Sequence, residues 1–164
     1  MGTGSITLRS ATSRDVAAVD ALLSRSYPRL LKTDYPPSTI VTAVPLISRA
    51  NASLVTSGTY YVAEASDGSL LGAGGWTPSS RTQGAAQVRH LAVDWRHQRE
   101  GIGRRLMMGI FAEARLQGHR RLDAQATRTA VRFYAAMGFE NMGEIIVPLR
   151  PGIEFPAVLM RRFL

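Results

Sequence analysis

Apolar positions along the chain follow two rhythms. Short runs of branched and aromatic residues, bounded by turn residues, read as β-strands over Ile6 to Arg9, Thr59 to Ala65, Leu70 to Thr77 and Ala85 to Val93. Three more strands are read over Arg121 to Ala126, Asn141 to Pro148 and Ala157 to Phe163. Helical spacing, with apolar residues every three to four positions, appears from about Arg14 to Arg25 and from Leu106 to Leu116. A shorter helix fits Ala130 to Met137. The punctuation supports these limits. Ser13 and Asp15 offer capping chemistry to the first helix, and Gly118 and Gly138 end the later two. Tyr27-Pro28 and Tyr35-Pro36-Pro37 bracket a loop, after which Ser38 or Thr39 opens a second helix through Ser48 that Pro45 should kink or shorten. Asp67-Gly68 marks a hairpin turn, and Arg150-Pro151-Gly152 joins the last two strands.

The order is strand, two helices, three strands, helix, strand, helix, two strands, a mixed α/β sheet. It places Gln98-Arg99-Glu100-Gly101-Ile102-Gly103-Arg104 between the carboxyl end of a central strand and the start of a helix. Ligands of open α/β sheets bind at such points. Two glycines one residue apart let backbone approach a ligand closely, and the unpaired N–H groups of the helix start face whatever binds. Arg96, Arg99, Arg104 and Arg105 surround this turn, which favours a multiply charged anion such as a pyrophosphate. A plain glycine turn with solvated arginines stays open on the motif alone. A Rossmann fingerprint fits poorly, because the preceding strands are antiparallel and its third glycine would fall on Arg104-Arg105-Leu106. A Walker loop fails for want of Gly-Lys-Ser or Gly-Lys-Thr.

Composition narrows the classes further. A chain of 164 residues, 45% hydrophobic, is expected to form one domain over residues 1–164, with residues 1–5 disordered. Twenty basic residues against twelve acidic ones give a net charge of +8, which attracts anionic partners without choosing among them. Nucleic acid is disfavoured, because the arginines cluster at the glycine turn and at Arg120-Arg121 and Arg161-Arg162 without interleaved aromatics. With no cysteine, disulfides and thiolate chemistry are excluded, and His90, His97 and His119 stand alone, so no metal site is expected. Met1 to Ile6 lacks a signal segment, Ile6 falls where a myristoylation signal has Ser or Thr, and no apolar run approaches the ~20 residues of a membrane helix. A cytoplasmic protein without membrane association is the expectation.

Gln98-x-x-Gly101-x-Gly103 after Leu91-Ala92-Val93-Asp94, followed by Ala130-x-x-Phe133-Tyr134-x-x-x-Gly138-Phe139, resembles the GNAT N-acetyltransferase family. The likeness runs from Ile6 to Leu164 and is sharpest from Gln87 to Phe139. It implies a mostly antiparallel central sheet flanked by helices and splayed at an acetyl-CoA site. The pyrophosphate would rest on backbone N–H groups around Gln98, Arg99, Glu100, Gly101, Ile102, Gly103 and Arg104, with the Arg104 side chain, and more weakly Arg132, in support. The pantetheine arm would pair with Leu91, Ala92 and Val93. Thr127 stands where members of the family often carry Asn. Tyr134 occupies the position of the acid that protonates the departing CoA thiolate, its phenol pKa near 10 matching that role. Packing in the core is the alternative use of the same ring.

The base is less defined. Gln87 stands where some members carry Glu, and an amide takes no proton. His90 has a suitable pKa, but strand alternation sends it to the face opposite Gln87 unless a bulge resets the parity. Glu64 and a water relay remain equal candidates. The resemblance implies a primary amine of a small molecule or peptide as acceptor, bound between the first two helices and the last strand pair, where Tyr27, Tyr35 and Glu154 are the candidates beside Asp34 and Glu144. Lys32 is the only lysine, so extensive self-acetylation is not expected. A catalytically silent acyl-CoA sensor is the alternative function, and a homodimer is a common assembly of the family.

Overall fold

The structure, a computed structural model, describes residues 5–164. Residues 1–4 of the N-terminal segment expected to be disordered lie outside the described residues. Seven strands form one sheet in the order β1-β2-β3-β4-β5-β7-β6. They are β1 (Thr7–Ser10), β2 (Tyr60–Glu64), β3 (Leu70–Pro78), β4 (Ala85–Val93), β5 (Arg121–Ala126), β6 (Glu140–Arg150) and β7 (Ile153–Phe163). Every neighbouring pair is antiparallel except β4 and β5. The expected mixed, mostly antiparallel sheet is therefore the one formed.

Helices cover both faces. Six are present among the described residues: α1 (Val16–Leu31), α2 (Pro37–Thr42), α3 (Val44–Ile47), α4 (Ala52–Val55), α5 (Ile102–Leu116) and α6 (Val131–Ala136). Val19, Leu22, Leu23 and Ser26 of α1 recur at helical spacing and are buried. The three apolar members pack with Val62, Ala73 and Ala92 on one face of the sheet. Ile102 and Leu106 of α5 pack with Ala63 and Leu71 on the other. Since Val62 and Ala63 are adjacent on β2, strand alternation divides the two layers. Each fully buried aliphatic side chain contributes roughly 1.5–3 kcal/mol, so these stripes hold the helices to the sheet.

Three local readings change. The first helix runs through Tyr27-Pro28 to Leu31. Pro28 removes an N–H and disfavours an interior helical position, but Leu31 is fully buried with Tyr35, Ala43 and Val44, and that burial carries the helix past it. The second helix splits at Ala43 into α2 and α3, with Pro45 in the first turn of α3, where a missing N–H does no harm. The short α4, whose Asn51 side chain accepts the Leu54 N–H at 3.1 Å, has no counterpart in the sequence reading. Its four residues are too few to show a period.

Asp15 sits at the N-cap position of the first helix, at the end of a 3₁₀ turn, and its carboxylate closes the capping box of that turn by accepting the Thr12 N–H at 2.7 Å. Arg9 holds the same carboxylate through two nitrogens at 2.8 and 2.9 Å and reaches Glu64 at 3.2 Å, joining β1, α1 and β2. Hydrogen bonds from Arg9 lower the Asp15 carboxyl to about 2. Because folding depresses this pKa below an unfolded value near ~3.9, its stabilisation is complete above about pH 4 and is lost as pH falls towards about 2. Asp15→Asn should lower stability at neutral pH by roughly 1–2 kcal/mol and flatten the decline over that acid range. Urea unfolding at a series of pH values checks this, and equal acid slopes in the two proteins would contradict it.

Candidate active site

The sheet opens at its centre. β4 pairs with β5 only where Ala85, Ala86 and Gln87 meet Arg121, Leu122 and Asp123. β5 then continues alongside β7 as far as Ala126 opposite Val158, so from Val88 onward β4 has no partner on that edge. A bulge accompanies the opening. Gly75 faces Arg89 and Ala73 faces Ala92, two steps along β3 against three along β4. His90 takes up the extra residue with φ 45°, a left-handed conformation that costs a branched or bulky residue about 1 kcal/mol or more. Two buried phenols hold the backbone there: Tyr60 donates to the His90 carbonyl at 2.9 Å and Tyr27 to that of Leu91 at 3.1 Å. Burial pushes both phenols up, so they remain donors.

The bulge resets the strand's parity. Val88 and then Leu91 pack on the α5 side, whereas Ala92 packs on the α1 side. His90 and Gln87 line one cavity together with Val88, Arg89 and Leu91, because the edge of β4 lies open there.

Two cavities meet at the opening. The first, of about 320 Å³, is lined by Leu91, Ala92 and Val93, by Gln98, Arg99, Gly101, Ile102, Gly103 and Arg104, and by Phe133. Gly101 precedes α5 with φ 81° and Arg99 has φ 64°, so the backbone curls into a concavity at a helix start that no side chain caps. The N–H groups of Ile102, Gly103 and Arg104 precede the first bond of the helix, Arg105 N–H to Gly101 O at 3.0 Å. A Cβ at Gly103 would lie 3.2 Å from the Phe133 ring and 3.5 Å from Val93, so only glycine leaves this wall undisturbed. Free amide donors, a helix N-terminus and an apolar channel beside them are what a pyrophosphate with a long neutral arm requires. The site fits acetyl-CoA.

Asp94 fixes the loop that leads into α5. Its side chain is fully buried, accepts from Arg25 at 2.9 Å, from the Arg96 N–H at 2.9 Å and from two nitrogens of the Arg96 side chain at 3.1 Å. Burial opposes its ionisation, but the hydrogen bonds from Arg96 and Arg25 prevail and hold the carboxyl well below the usual carboxylate range. Gln98 braces the same turn, its amide donating to the Val93 and Asp94 carbonyls at 3.1 and 3.2 Å. Glu100 does not line the cavity and instead faces His97 Nδ1 at 3.2 Å.

The second cavity, of about 500 Å³, holds Tyr134, His90 and Gln87 on its wall. Tyr27, Leu91, Thr127 and Ala130 line both cavities, which therefore abut across the opened sheet. Consecutive residues of α6 divide between them, Phe133 on the first and Tyr134 on the second. The Tyr134 ring sits edge-on to Phe133 at 5.5 Å and to Phe139 at 5.0 Å. Burial, reinforced by neighbouring Tyr27, raises its pKa, so the hydroxyl keeps its proton. Burial, then the charge of Arg89, lowers His90, so the imidazole is neutral near pH 7.

Other sequence candidates lie apart. Tyr35 lines neither cavity; its hydroxyl donates to Pro156 O at 2.7 Å and accepts the Arg128 N–H at 2.9 Å, while its ring stacks on Phe155 at 4.8 Å. Glu154 belongs to the β6–β7 turn with Pro148 and Arg150. Asp34 accepts from Thr129 at 2.7 Å, Glu144 is exposed on β6, and Glu64 is paired with Arg9. Asp94, Tyr60 and Arg89 were missed as site residues. Asp94 carried a signal, an acidic residue just before a turn, but its partner Arg25 is distant in sequence. Among the described residues no group of three or more His, Cys, Asp or Glu is placed to hold a metal ion, and no helix is long and apolar enough to cross a membrane.

Residues 32–155 match the acetyltransferase (GNAT) domain, and the chain belongs to that family. Over 61 residues it is 36% identical to rat N-acetyltransferase family 8 member 3, a match spanning 35% of this chain and 27% of that relative. The fold is shared with a GCN5-related N-acetyltransferase of Rhodopseudomonas palustris, with TM-score 0.80, 18% identity and 100% and 99% of the two chains covered. It is also shared with yncA of Salmonella typhimurium, a protein solved with acetyl-CoA, at TM-score 0.69, 19% identity and 98% and 95% coverage. Ard1 of Thermoplasma volcanium gives TM-score 0.68 at 21% identity over 97% of each chain.

Asp94→Asn leaves Arg25 and Arg96 facing an amide at the root of the site. With both arginines partly exposed, the expected loss is roughly 2–4 kcal/mol, with faster amide exchange across residues 95–101. Unchanged stability and exchange would contradict the bracing role.

Proposed function

We propose that the protein is an N-acetyltransferase that moves an acetyl group from acetyl-CoA to a primary amine of a small molecule or peptide by direct attack in a ternary complex. One observation carries this reading: two cavities of different character abut where β4 parts from β5, sharing Tyr27, Leu91, Thr127 and Ala130, with Tyr134 on the wall of the larger. The smaller would take the donor, its phosphates on the N–H groups from Arg99 to Arg104 and its arm along Leu91, Ala92 and Val93. Arg104 supports the phosphates, and Thr127, on both walls, offers a hydroxyl to the arm. Bound acetyl-CoA supplies the thioester carbonyl.

The chain's own groups then have three tasks. An N–H on the open edge of β4, between Leu91 and Val93, donates to the oxyanion. His90 on the bulge accepts the proton of the attacking amine, since Glu64 is tied to Arg9 and Gln87 has no basic atom. Tyr134 donates its proton to the departing thiolate. Burial raises the pKa of both anions, phenolate and thiolate, so the transfer stays close to balanced. A tyrosine hydroxyl on the wall of the larger cavity favours an enzyme over a silent sensor. A donor such as acetyl-CoA suits the cytoplasm.

Tyr134→Phe should lower kcat about a hundredfold while acetyl-CoA affinity stays within about twofold, as measured by thiol release and calorimetry. Equal kcat in the two proteins would refute the acid role. In the wild type, kcat/KM should fall on the acid side with a pKa below the ordinary histidine value, because protonated His90 accepts nothing. His90→Gln should remove that limb, and an unchanged profile would assign the base elsewhere.

A further inference from the structure

The larger cavity has an unbalanced charge. Five of its lining residues are ionisable; burial keeps the Tyr27 and Tyr134 phenols neutral, which leaves Arg89, His90 and Asp123. Asp123 is fully engaged, one oxygen with Arg161 Nε at 2.8 Å and the other with Arg121 at 3.0 Å and Arg161 Nη2 at 3.3 Å. Two guanidiniums on one carboxylate leave no negative charge to spare. Arg89 has the opposite situation. It takes part in no ion pair among the described residues, and its one side-chain hydrogen bond goes to the neutral Thr77 hydroxyl at 3.2 Å. A guanidinium carries five N–H donors in a planar fork, so most of those of a half-buried Arg89 are unspent on the cavity wall.

The rest of the wall carries no charge. Gln87, Gln125 and Thr127 contribute neutral polar groups. Ile47, Val147, Leu149, Phe155 and Leu159, from α3 and the β6–β7 hairpin, contribute an apolar part. A cavity of about 500 Å³ is the size of a small-molecule site rather than a protein groove. Cationic amines without an anionic group, such as polyamines, would meet a positive wall and no free carboxylate.

We infer that the acceptor is an amino acid with an apolar side chain, its carboxylate held by the Arg89 fork and its side chain against Ile47, Leu149 and Phe155. This deepens the transferase reading, because it takes the larger cavity as the acceptor site. Of the sequence candidates Tyr27 lines this cavity and Tyr35 and Glu154 do not, and the anion site lies one residue from His90 on β4. Holding the carboxylate at Arg89 would leave the amine end free to reach His90 and the sheet opening. A guanidinium fork matches a carboxylate in two hydrogen bonds, which a lysine cannot reproduce.

Equilibrium binding of leucine, leucinamide and isopentylamine to wild type, Arg89→Gln and Arg89→Lys, with and without saturating CoA, tests this independently of turnover. Leucine should bind wild type at least about tenfold more tightly than either analogue, Arg89→Gln should abolish that preference, and Arg89→Lys should restore it only in part. Unfolding midpoints of the variants, compared with wild type, confirm that a loss reflects the site. Equal binding of the three compounds, an unchanged preference in Arg89→Gln, or no leucine binding to protein that binds CoA would each overturn the inference. Acetyl transfer to amines lacking a carboxylate, at rates indifferent to Arg89, would overturn it while leaving the transferase reading intact. Carboxylate-dependent binding without any acetyl transfer would do the reverse.

Discussion

Everything at the site depends on the parting of β4 from β5. Two strands that begin as parallel neighbours at Ala85 to Gln87 lose contact after three residues, because β5 remains paired with β7 while β4 bulges at His90. A break in a sheet exposes backbone donors and acceptors, which is unfavourable unless something else meets them. Tyr27 and Tyr60 satisfy two of the carbonyls from within the fold. The open edge is left as a template for an extended ligand, and Gln87, Arg89 and His90 line the larger cavity beside it.

The two mouths of the opening are built from different physics. On the α5 side the recognition groups are backbone: left-handed Arg99 and Gly101, an uncapped helix start and a glycine packed against Phe133. Asp94, buried between Arg25 and Arg96, keeps that backbone in place from beneath. On the other side the lining groups are side chains, Arg89, His90 and Tyr134 among apolar and neutral polar residues. On the function proposed above, donor recognition is mostly backbone and acceptor choice falls to a few side chains of β4, α3 and the terminal hairpin.

Much of the frame was legible in the sequence. The strands Ala85 to Val93 and Arg121 to Ala126 match the sequence reading to the residue, each lying between segments of different pattern, the glycine turn after the first and Gly118 before the second. The glycine turn was legible because its chemistry is local, N–H groups and left-handed glycine within seven residues. What could not be read was set by tertiary contacts. The passage of α1 through Pro28 depends on the burial of Leu31, the left-handed turn at His90 depends on a bulge against β3, and the bracing of the glycine turn depends on the Gln98 amide reaching the Val93 and Asp94 carbonyls. Tyr35 is an acceptor candidate only through the family resemblance, which implies an acceptor between the first two helices and the last strand pair; its stacking on Phe155, far along the chain, puts its hydroxyl to structural use.

The most direct test of the opened sheet as the place of transfer is an amide-resolved titration of the protein with CoA. The expected perturbations centre on Ile102, Gly103 and Arg104 and on Leu91, Ala92 and Val93, with the β6–β7 turn around Pro151 unmoved. Perturbations that avoid the start of α5 and the free edge of β4, or no binding at all, would contradict the assignment of this opening to the donor.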